Sequence, residues 1–264
     1  MRVPYISNVL PKEEFEKIEK ECILELEEYI KENHESIASI IVEPMVQGAS
    51  GMKMYSANYL KAVREITKKY NIHLIDDEIA MGFGRTGKMF ACEHAGVKPD
   101  IMCLAKGLST GYYPIALVCI TQDIYDAFYD DYEKGKSFLQ SHTYSGNPLG
   151  CRIALEVLKI FKEENIMDMV SKKSKFLEDK IVEKFLREDY IKDYRIMGMI
   201  GVIELKDSKN PRAGKEIAKI ALEKGLLIRP IGNTVYFMPP YVITEEEIEK
   251  MLDICKESIE EYLK

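Results

Sequence analysis

The feature that most constrains the fold is the alternation of short apolar runs with amphipathic stretches over the first 160 residues or so. Four short apolar runs have the length and composition of buried β-strands, and they cover residues 37–43, 72–76, 100–105 and 114–120. Apolar residues recur at helical spacing in three further stretches, 12–33, 56–70 and 147–161. Strands that alternate with helices predict an α/β domain with a largely parallel sheet and helices packed against it.

A change of pattern near Phe161 indicates a second domain. Beyond it the chain is more charged and mostly helical, with short strand-like runs at 198–205, 226–230 and 234–240. A final helical period runs from Thr244 to the end of the sequence. We therefore predict two domains, residues 1–161 and a smaller α+β domain formed by residues 162–264.

Composition narrows the class of protein. Hydrophobic residues make up 46% of the 264 residues and charged residues 31%, which is enough apolar material for a sizeable core. The net charge of -7 argues against a nucleic-acid-binding surface. The six cysteines contain no Cys-x-x-Cys pair, and no apolar run is long enough to span a bilayer or form a signal peptide. The sequence thus predicts a cytoplasmic protein with no nucleic-acid or membrane partner.

Three consecutive acids follow the second predicted strand, in the segment "HLIDDEIAMGFGRTGK". Strand alternation puts Asp77 on one face of the sheet and Asp76 and Glu78 on the other. Carboxylates at the end of a buried strand require a positive partner, which could be a metal ion, a magnesium-bound phosphate or a protonated ring nitrogen. Cys92 and His94 lie nearby as possible metal ligands, but a single pair at that spacing favours a structural role, so no metal site is predicted.

The glycine-rich segment "GFGRTGK" (82–88) resembles a phosphate-binding loop. Such a loop continues with Ser or Thr to hold magnesium, whereas Met89 follows here. The nucleotide-hydrolase interpretation is therefore weak.

A second glycine pattern, "GLSTG" (107–111), matches the nucleophile elbow of α/β hydrolases, with Ser109 as the nucleophile and His142 as a base. The elbow needs a helix directly after the serine, and two tyrosines and a proline follow instead. A serine hydrolase is kept as a remote alternative.

Lys106 ends the third predicted strand, and Asp77 ends the second one 29 residues earlier. Ligands bind at the carboxyl ends of strands in α/β sheets, so both side chains are expected in one crevice. A lysine and a carboxylate in one crevice suit pyridoxal phosphate, because the lysine forms a Schiff base and the carboxylate keeps the pyridinium nitrogen protonated. This cofactor best explains the positive partner of the acidic strand end.

Four segments carry a resemblance to a known family: "EPMVQGASGM", "LIDDEIAMGFGRTGKMFACEHAGVKPDIMCLAKGL", "HTYSGNPLGC" and "IRPIGNTVYFMPPY". They resemble the class III pyridoxal-phosphate-dependent aminotransferases, from about residue 2 to the C-terminus. Within the family they are most similar to the branch that aminates 8-amino-7-oxononanoate to 7,8-diaminononanoate in biotin biosynthesis. The resemblance implies S-adenosylmethionine, or lysine, as the amino donor. Class III enzymes acting on ornithine, 4-aminobutyrate or similar ω-amines are the nearest alternative.

The resemblance also implies a fold and a set of cofactor contacts. The fold is the type I fold of pyridoxal-phosphate-dependent transferases, in which residues 1–161 form part of the large domain. Lys106 matches the Schiff-base lysine and Asp77 the pyridinium partner. Thr143, with His142 beside it, matches the residue that reaches the cofactor phosphate of the neighbouring subunit, which implies a homodimer.

Three further residues match family positions that contact the substrate. Arg229 matches the arginine that binds the substrate carboxylate, a role that suits the bidentate guanidinium. Ser141 lies where the same loop contacts the substrate, and Arg85 lies near the substrate channel.

Family members extend further at the N-terminus. The additional part holds the glycine- and serine-rich phosphate cup and the aromatic residue that stacks on the cofactor ring. Three interpretations of this chain stay open: a fragment, a truncated reading frame, or one half of a split enzyme that works only with an N-terminal partner chain.

Overall fold

The computed structural model describes residues 3–8, 10–206, 210 and 212–264. The helices and strands follow one another along the chain as α1 (Lys12–Asn33), β1 (Ser39–Val42), β2 (Val46–Gln47), β3 (Lys53–Met54), α2 (Ala57–Lys69), β4 (His73–Asp77), β5 (Ile101–Leu104), β6 (Leu117–Ile120), α3 (Gln122–Phe128), α4 (Pro148–Glu163), α5 (Ile166–Phe185), β7 (Ile191–Met197), β8 (Ile200–Leu205), α6 (Ala213–Glu223), β9 (Thr234–Phe237) and α7 (Glu245–Leu263). None of the helices in these ranges is both long enough and apolar enough to cross a membrane.

A four-stranded sheet of order β1-β4-β5-β6 forms the N-terminal part. The first three strands are parallel, and β6 runs antiparallel to β5. One face, which carries Leu74 and Asp76, is buried under α1 and α2. On the opposite face Ile41 and Val118 are each 64% exposed. The predicted mostly parallel sheet with helices is therefore confirmed, with one face open to solvent in this chain.

The C-terminal sheet is antiparallel and has the order β7-β8-β9. Its core packs against α5, α6 and α7, and α7 begins with a capping box between Thr244 and Glu247. Strand β8 is buried on both faces, because Ile203 packs into this core while Val202 packs into the core of the N-terminal part. Burial on both sides explains why this strand appears in the sequence as a continuous apolar run.

Sequence periodicity missed or misplaced several elements. The run 226–230, predicted as a strand, belongs to none of the strands of the structure. The loop after residue 43 contains a short hairpin, β2–β3, whose strands are too short to show alternation. Strand β7 was missed because it carries Asp193 and Arg195, which are buried as an ion pair. Charged residues in a strand hide its apolar pattern when they neutralise each other inside the protein.

Candidate active site

Asp77 and Lys106 lie at the carboxyl ends of two adjacent parallel strands. Asp77 is the last residue of β4 and is in register with Cys103 of β5, three positions before Lys106. The Asp77 carboxylate accepts a hydrogen bond from the Ile79 amide through Oδ1, at 3.1 Å. Burial, and next the Asp77 carboxylate, raise the pKa of the Cys103 thiol. The two strand ends therefore lie at one edge of the sheet, as expected, but the two side chains do not share one crevice: Lys106 lines one cavity and Asp77 lines another.

Lys106 opens a tight turn directly after β5. Its φ is 43°, in the left-handed region that residues with a Cβ rarely adopt. A Cβ at the next residue, Gly107, would lie 2.8 Å from Cβ of Phe83, so only glycine fits there. The Lys-Gly pair thus places the lysine at the strand end while the chain passes close to the glycine-rich loop.

Lys106 lines a cavity of about 760 Å³. Much of the wall is apolar and includes Met52, Met81, Phe83, Phe161, Tyr236, Met238 and Tyr241. Asp77 lines an adjacent cavity of about 370 Å³, and Glu43 lines both. The Glu43 carboxylate accepts a hydrogen bond from the Gly48 amide at 3.1 Å, and its carbonyl accepts one from the Tyr55 hydroxyl at 2.7 Å. Glu43 is therefore an acidic group with a fixed position in the wall of both cavities.

Arg85 lines the same cavity as Lys106. Its Nη1 donates to the carbonyl of Pro239 at 2.7 Å, and its guanidinium lies 4.6 Å from the ring centroid of Tyr241. Burial lowers the pKa of Arg85, and the Tyr241 hydroxyl donates to the carbonyl of Phe83 at 2.7 Å. The face of the tyrosine ring thus packs against the guanidinium, a contact that sequence analysis missed.

Asp76 and Glu78 lie on the face opposite Asp77, as strand alternation predicts, and both are fully buried. Ligating atoms of Asp76, Glu78 and Cys92 lie within 4.8 Å of one another. Glu78 accepts a hydrogen bond from the Cys92 amide at 2.8 Å. Burial, and next the Glu78 charge, raise the pKa of Asp76 to about 7. His94 takes no part in this cluster, since its Nε2 contacts the carbonyl and hydroxyl of Thr86 at 3.0 and 3.2 Å.

Arg229 does not line the Lys106 cavity. It is exposed and lines a cavity of about 920 Å³ between the 226–230 segment and α7. Three residues, Tyr236, Met238 and Pro240, line both this cavity and that of Lys106. The two cavities therefore meet across one shared wall.

Ser141, His142 and Thr143 lie in an exposed segment before α4, and none of them lines the Lys106 cavity. The segment ends at Asn147, whose side chain caps α4 by accepting from the Gly150 amide at 2.8 Å. The side chains of Ser141, His142 and Thr143 are therefore accessible to another molecule.

The two competing glycine motifs do not form the sites that their patterns suggest. Ser109 is 2% exposed, and its hydroxyl donates to the carbonyl of Tyr113. A short 3-10 turn, Lys106–Leu108, precedes the serine and no helix follows it directly, so the nucleophile elbow is absent here. The 82–88 loop likewise leads into further turns and the 3-10 turn Ala91–His94, without the helix that a phosphate-binding loop requires.

Comparison with known proteins gives a consistent result. The family model for aminotransferase class-III matches residues 1–259. The adenosylmethionine-8-amino-7-oxononanoate aminotransferase of Geobacter sulfurreducens is 40% identical over 247 residues, which cover 90% of this chain and 54% of that protein. The enzyme of the same name from Anoxybacillus flavithermus is 41% identical over 250 residues, covering 92% of this chain and 55% of that protein.

Solved structures agree with these relatives. The adenosylmethionine-8-amino-7-oxononanoate aminotransferase of Methanocaldococcus jannaschii superposes with a TM-score of 0.87 at 37% identity, covering 91% of this chain and 57% of that one. An omega transaminase from Pseudomonas jessenii in complex with PMP gives a TM-score of 0.88 at 30% identity, covering 97% and 57%. The chain thus spans about half the length of the curated relatives that it matches. The fold, the match along nearly the whole chain and these identities show that the chain belongs to the class III aminotransferase family.

Proposed function

We propose that the protein to which this chain belongs is a pyridoxal-phosphate-dependent aminotransferase that converts 8-amino-7-oxononanoate to 7,8-diaminononanoate, with S-adenosylmethionine or lysine as amino donor. The observation that carries the proposal is the position of Lys106 and Asp77 at the ends of adjacent strands, with Lys106 facing a largely apolar cavity. The names of the relatives from Geobacter sulfurreducens and Anoxybacillus flavithermus support the choice of substrate.

The residues present fit the cofactor chemically. An amine at one strand end and a carboxylate at the next are the donor set that pyridoxal phosphate requires, and Asp77 Oδ2 has no hydrogen-bond partner among the described residues. Lys106 would hold the cofactor and Asp77 would hold its ring nitrogen. When bound, the cofactor supplies an electron sink for the pair of electrons left at the substrate carbon after proton loss.

Lys106 would also move the proton of the reaction. Its Nζ would accept the proton from the carbon that bears the donor amine and return a proton in the second half of the cycle. Glu43 holds the Gly48 amide and so fixes the loop beside the lysine. The apolar side chains of Met81 and Phe83 in the cavity wall would limit the access of water to the reacting carbon.

The two arginines would contact the substrate at different places. We assign Arg229 to the carboxylate of the oxononanoate, because it lines the cavity that shares Tyr236 and Met238 with the Lys106 cavity. The aliphatic part of the substrate would lie along these shared apolar side chains. Arg85 would sit at the channel, where Tyr241 keeps its guanidinium in one orientation.

A homodimer would explain the residues that stay outside the cavity. Thr143 and His142 would reach the phosphate of the cofactor in the partner subunit, and Ser141 would contact its substrate. Their exposure in this chain supports the assignment. We also propose the domain boundary near Phe161, at the end of α4, with residues 1–161 in the cofactor-binding domain and 162–264 in the smaller one.

The test is an absorbance spectrum of the purified chain with added pyridoxal phosphate, followed by borohydride reduction and peptide mapping. We expect an absorbance band near the visible edge, as is typical of a lysine-bound cofactor, and a reduced label on Lys106. Lys106→Ala should remove both, whereas Lys98→Ala, a change at an exposed lysine in the loop before β5, should keep both.

Donor and acceptor screening of the loaded protein then separates the substrates. Turnover of 8-amino-7-oxononanoate with S-adenosylmethionine or lysine is the expected result, and a preference for ornithine or 4-aminobutyrate would move the protein to the ω-amine enzymes. Ready turnover by Lys106→Ala, or labelling of a different lysine, would overturn the assignment. Uptake of the cofactor only after addition of an N-terminal polypeptide would show that the cofactor site needs the N-terminal part of the family fold, and a neighbouring reading frame that encodes this part would support a split enzyme.

A further inference from the structure

Two loops of the Lys106 cavity wall contact the same part of the C-terminal sheet. One loop joins β2 to β3 and contributes Gly48 and Met52 to the cavity, and the other is the glycine-rich loop 82–88, which contributes Phe83 and Arg85. Both contact the hairpin formed by β7 and β8, residues 191–205, which itself lines none of the cavity. The hairpin thus packs against the two cavity loops on the side away from the cavity.

Arg195 of β7 makes the contact with the first loop. Its Nε donates to the carbonyl of Met52 at 3.3 Å, and its Nη2 donates to the carbonyl of Gly51 at 3.2 Å. The side chain is 1% exposed, and its charge is balanced by Asp193 and Glu204, each 2.7 Å from Nη1. A buried guanidinium that is fully paired on one side can hold two backbone carbonyls on the other without an unpaired charge.

The first loop needs such support. Met45, directly before β2, and Met52, the last residue of the loop, have φ values of 66° and 54°, in the left-handed region. An L-residue in this region costs roughly 1–2 kcal/mol, so the conformation persists only where surrounding contacts fix it. Met52 also donates its amide to the carbonyl of Gly48 at 3.2 Å, and Gly48 in turn donates to Glu43. Arg195 therefore acts at the end of a chain of contacts that reaches the acid beside Lys106.

Gly198, in the turn of the hairpin, makes the contact with the second loop. A Cβ at this position would lie 2.3 Å from the carbonyl carbon of Thr86 and 2.5 Å from the amide nitrogen of Gly87. The adjacent Met199 amide donates to the carbonyl of Arg85 at 3.0 Å. The backbones of the turn and of the glycine-rich loop are therefore in direct contact, without room for a methyl group.

We propose that Arg195 and Gly198 are positioning residues for the Lys106 cavity, and that the β7–β8 hairpin holds both cavity loops in register with each other. Neither residue touches the cavity, so each acts through the backbone of a loop. The consequence for the cofactor rests on the proposed function, whereas the consequence for the two loops does not.

Hydrogen exchange measured by mass spectrometry tests the loops directly. Arg195→Met should speed exchange of the Met52 amide, and Gly198→Ala that of the Gly87 amide, about tenfold or more, since the loss of a hydrogen bond from a charged donor or a forced backbone shift has that size. Peptides from α6 and α7 should keep their protection. If Arg195→Met does not fold, Arg195→Met combined with Asp193→Asn and Glu204→Gln is measured instead, because it also neutralises the two acids that lose the arginine as a partner.

The controls match each change in kind. Arg152→Met removes an exposed arginine that pairs with Glu156 on α4. Gly96→Ala introduces a methyl at φ 62°, close to the 58° of Gly198, but at a position with no heavy atom within 4 Å. Backbone strain is therefore the same in both glycine variants, and only the contact with the loop differs. Both controls should leave exchange in the two loops at the wild-type rate.

Cofactor uptake supplies the second measurement. Both variants should weaken the apparent affinity for pyridoxal phosphate, by about tenfold, if the loops lose their fixed positions, and Arg195→Lys, which keeps one charged donor, should recover part of it. Unchanged loop exchange in folded variants would overturn the proposal. So would faster exchange spread evenly over the whole chain, which would show only general support of the fold. If the wild-type chain takes up no cofactor, the proposed function fails in this chain, and loop exchange alone decides on the hairpin.

Discussion

Replacing Asp76 by asparagine should make the protein more stable at neutral and alkaline pH. Asp76 is fully buried beside Glu78, and neither of its carboxylate oxygens has a hydrogen-bond partner by distance and angle among the described residues. Arg64, whose charge lowers the pKa of Asp76, already binds Asp100 through two hydrogen bonds of 2.6 and 2.8 Å. An ionised Asp76 is therefore poorly compensated, whereas asparagine is neutral and can donate to the unpaired Oε2 of Glu78.

The magnitude follows from the pKa. Burial, with the Glu78 charge, raises the pKa of Asp76 from 3.8 to about 7 in the folded protein. The folded state thus binds the proton more tightly than the unfolded state, and the stability from this group is fully present below pH 3.8 and is lost as the pH rises to about 7. A difference of about 3 pKa units corresponds to at most about 4 kcal/mol, at about 1.4 kcal/mol for each unit. Asp76→Asn should therefore gain up to about 4 kcal/mol at pH 8 and almost nothing near pH 4.

Urea unfolding, followed by far-ultraviolet circular dichroism at several pH values from 4 to 8, measures this effect. The free energy of unfolding of the wild type minus that of Asp76→Asn should become more negative across this range and level off above about pH 7. Asp179→Asn, at an exposed aspartate on α5 that pairs with Lys175, is the control and should show no such trend. Parallel pH profiles for the wild type and Asp76→Asn, or a lower stability of the variant at pH 8, would refute the argument.

Three other changes test contacts around the site by urea unfolding. Asp100→Asn should cost about 2–3 kcal/mol at pH 7 and much less near pH 2. The hydrogen bonds from Arg64 lower the pKa of Asp100 despite its burial, so their stabilisation is lost as the pH falls. An equal cost at both pH values would contradict this. Tyr241→Phe should cost about 1 kcal/mol through the lost hydrogen bond to the carbonyl of Phe83, and no loss at all would show that water replaces it. Thr244→Ala should cost about 1 kcal/mol by removing the cap of α7, and Thr244→Ser should recover most of it.

Local sequence patterns were sufficient for much of the fold. The predicted helix over residues 12–33 coincides with α1, and the serine at 56 caps α2 by accepting from the Tyr59 amide at 3.1 Å. These elements were predictable because helical period and capping depend on residues a few positions apart. The prediction of a strand at 226–230 was wrong, because the apolar residues of this run line a cavity and do not pair with a neighbouring strand.

The candidate site was predictable only in part. The positions of Lys106 and Asp77 follow from the ends of their strands. The alternation of side chains along the strand correctly predicted that Asp76 lies on the face opposite Asp77. The roles of Ser141, His142, Thr143, Arg85 and Arg229 stay predictions, and the separation of Arg229 from the Lys106 cavity was not visible in the sequence.

By itself, the sequence determined the alternation of strands and helices, the family, and the strand ends that carry the lysine and the aspartate. All of these depend on residue order within short segments. Only the tertiary structure decided that Arg195 holds the carbonyls of Gly51 and Met52, that Tyr241 lies under Arg85, and that Asp76 has no hydrogen-bond partner in the described core. Those contacts join segments more than 140 residues apart, or depend on how closely the helices cover the sheet. These contacts depend on packing between distant segments, which no local period or motif in the sequence predicts.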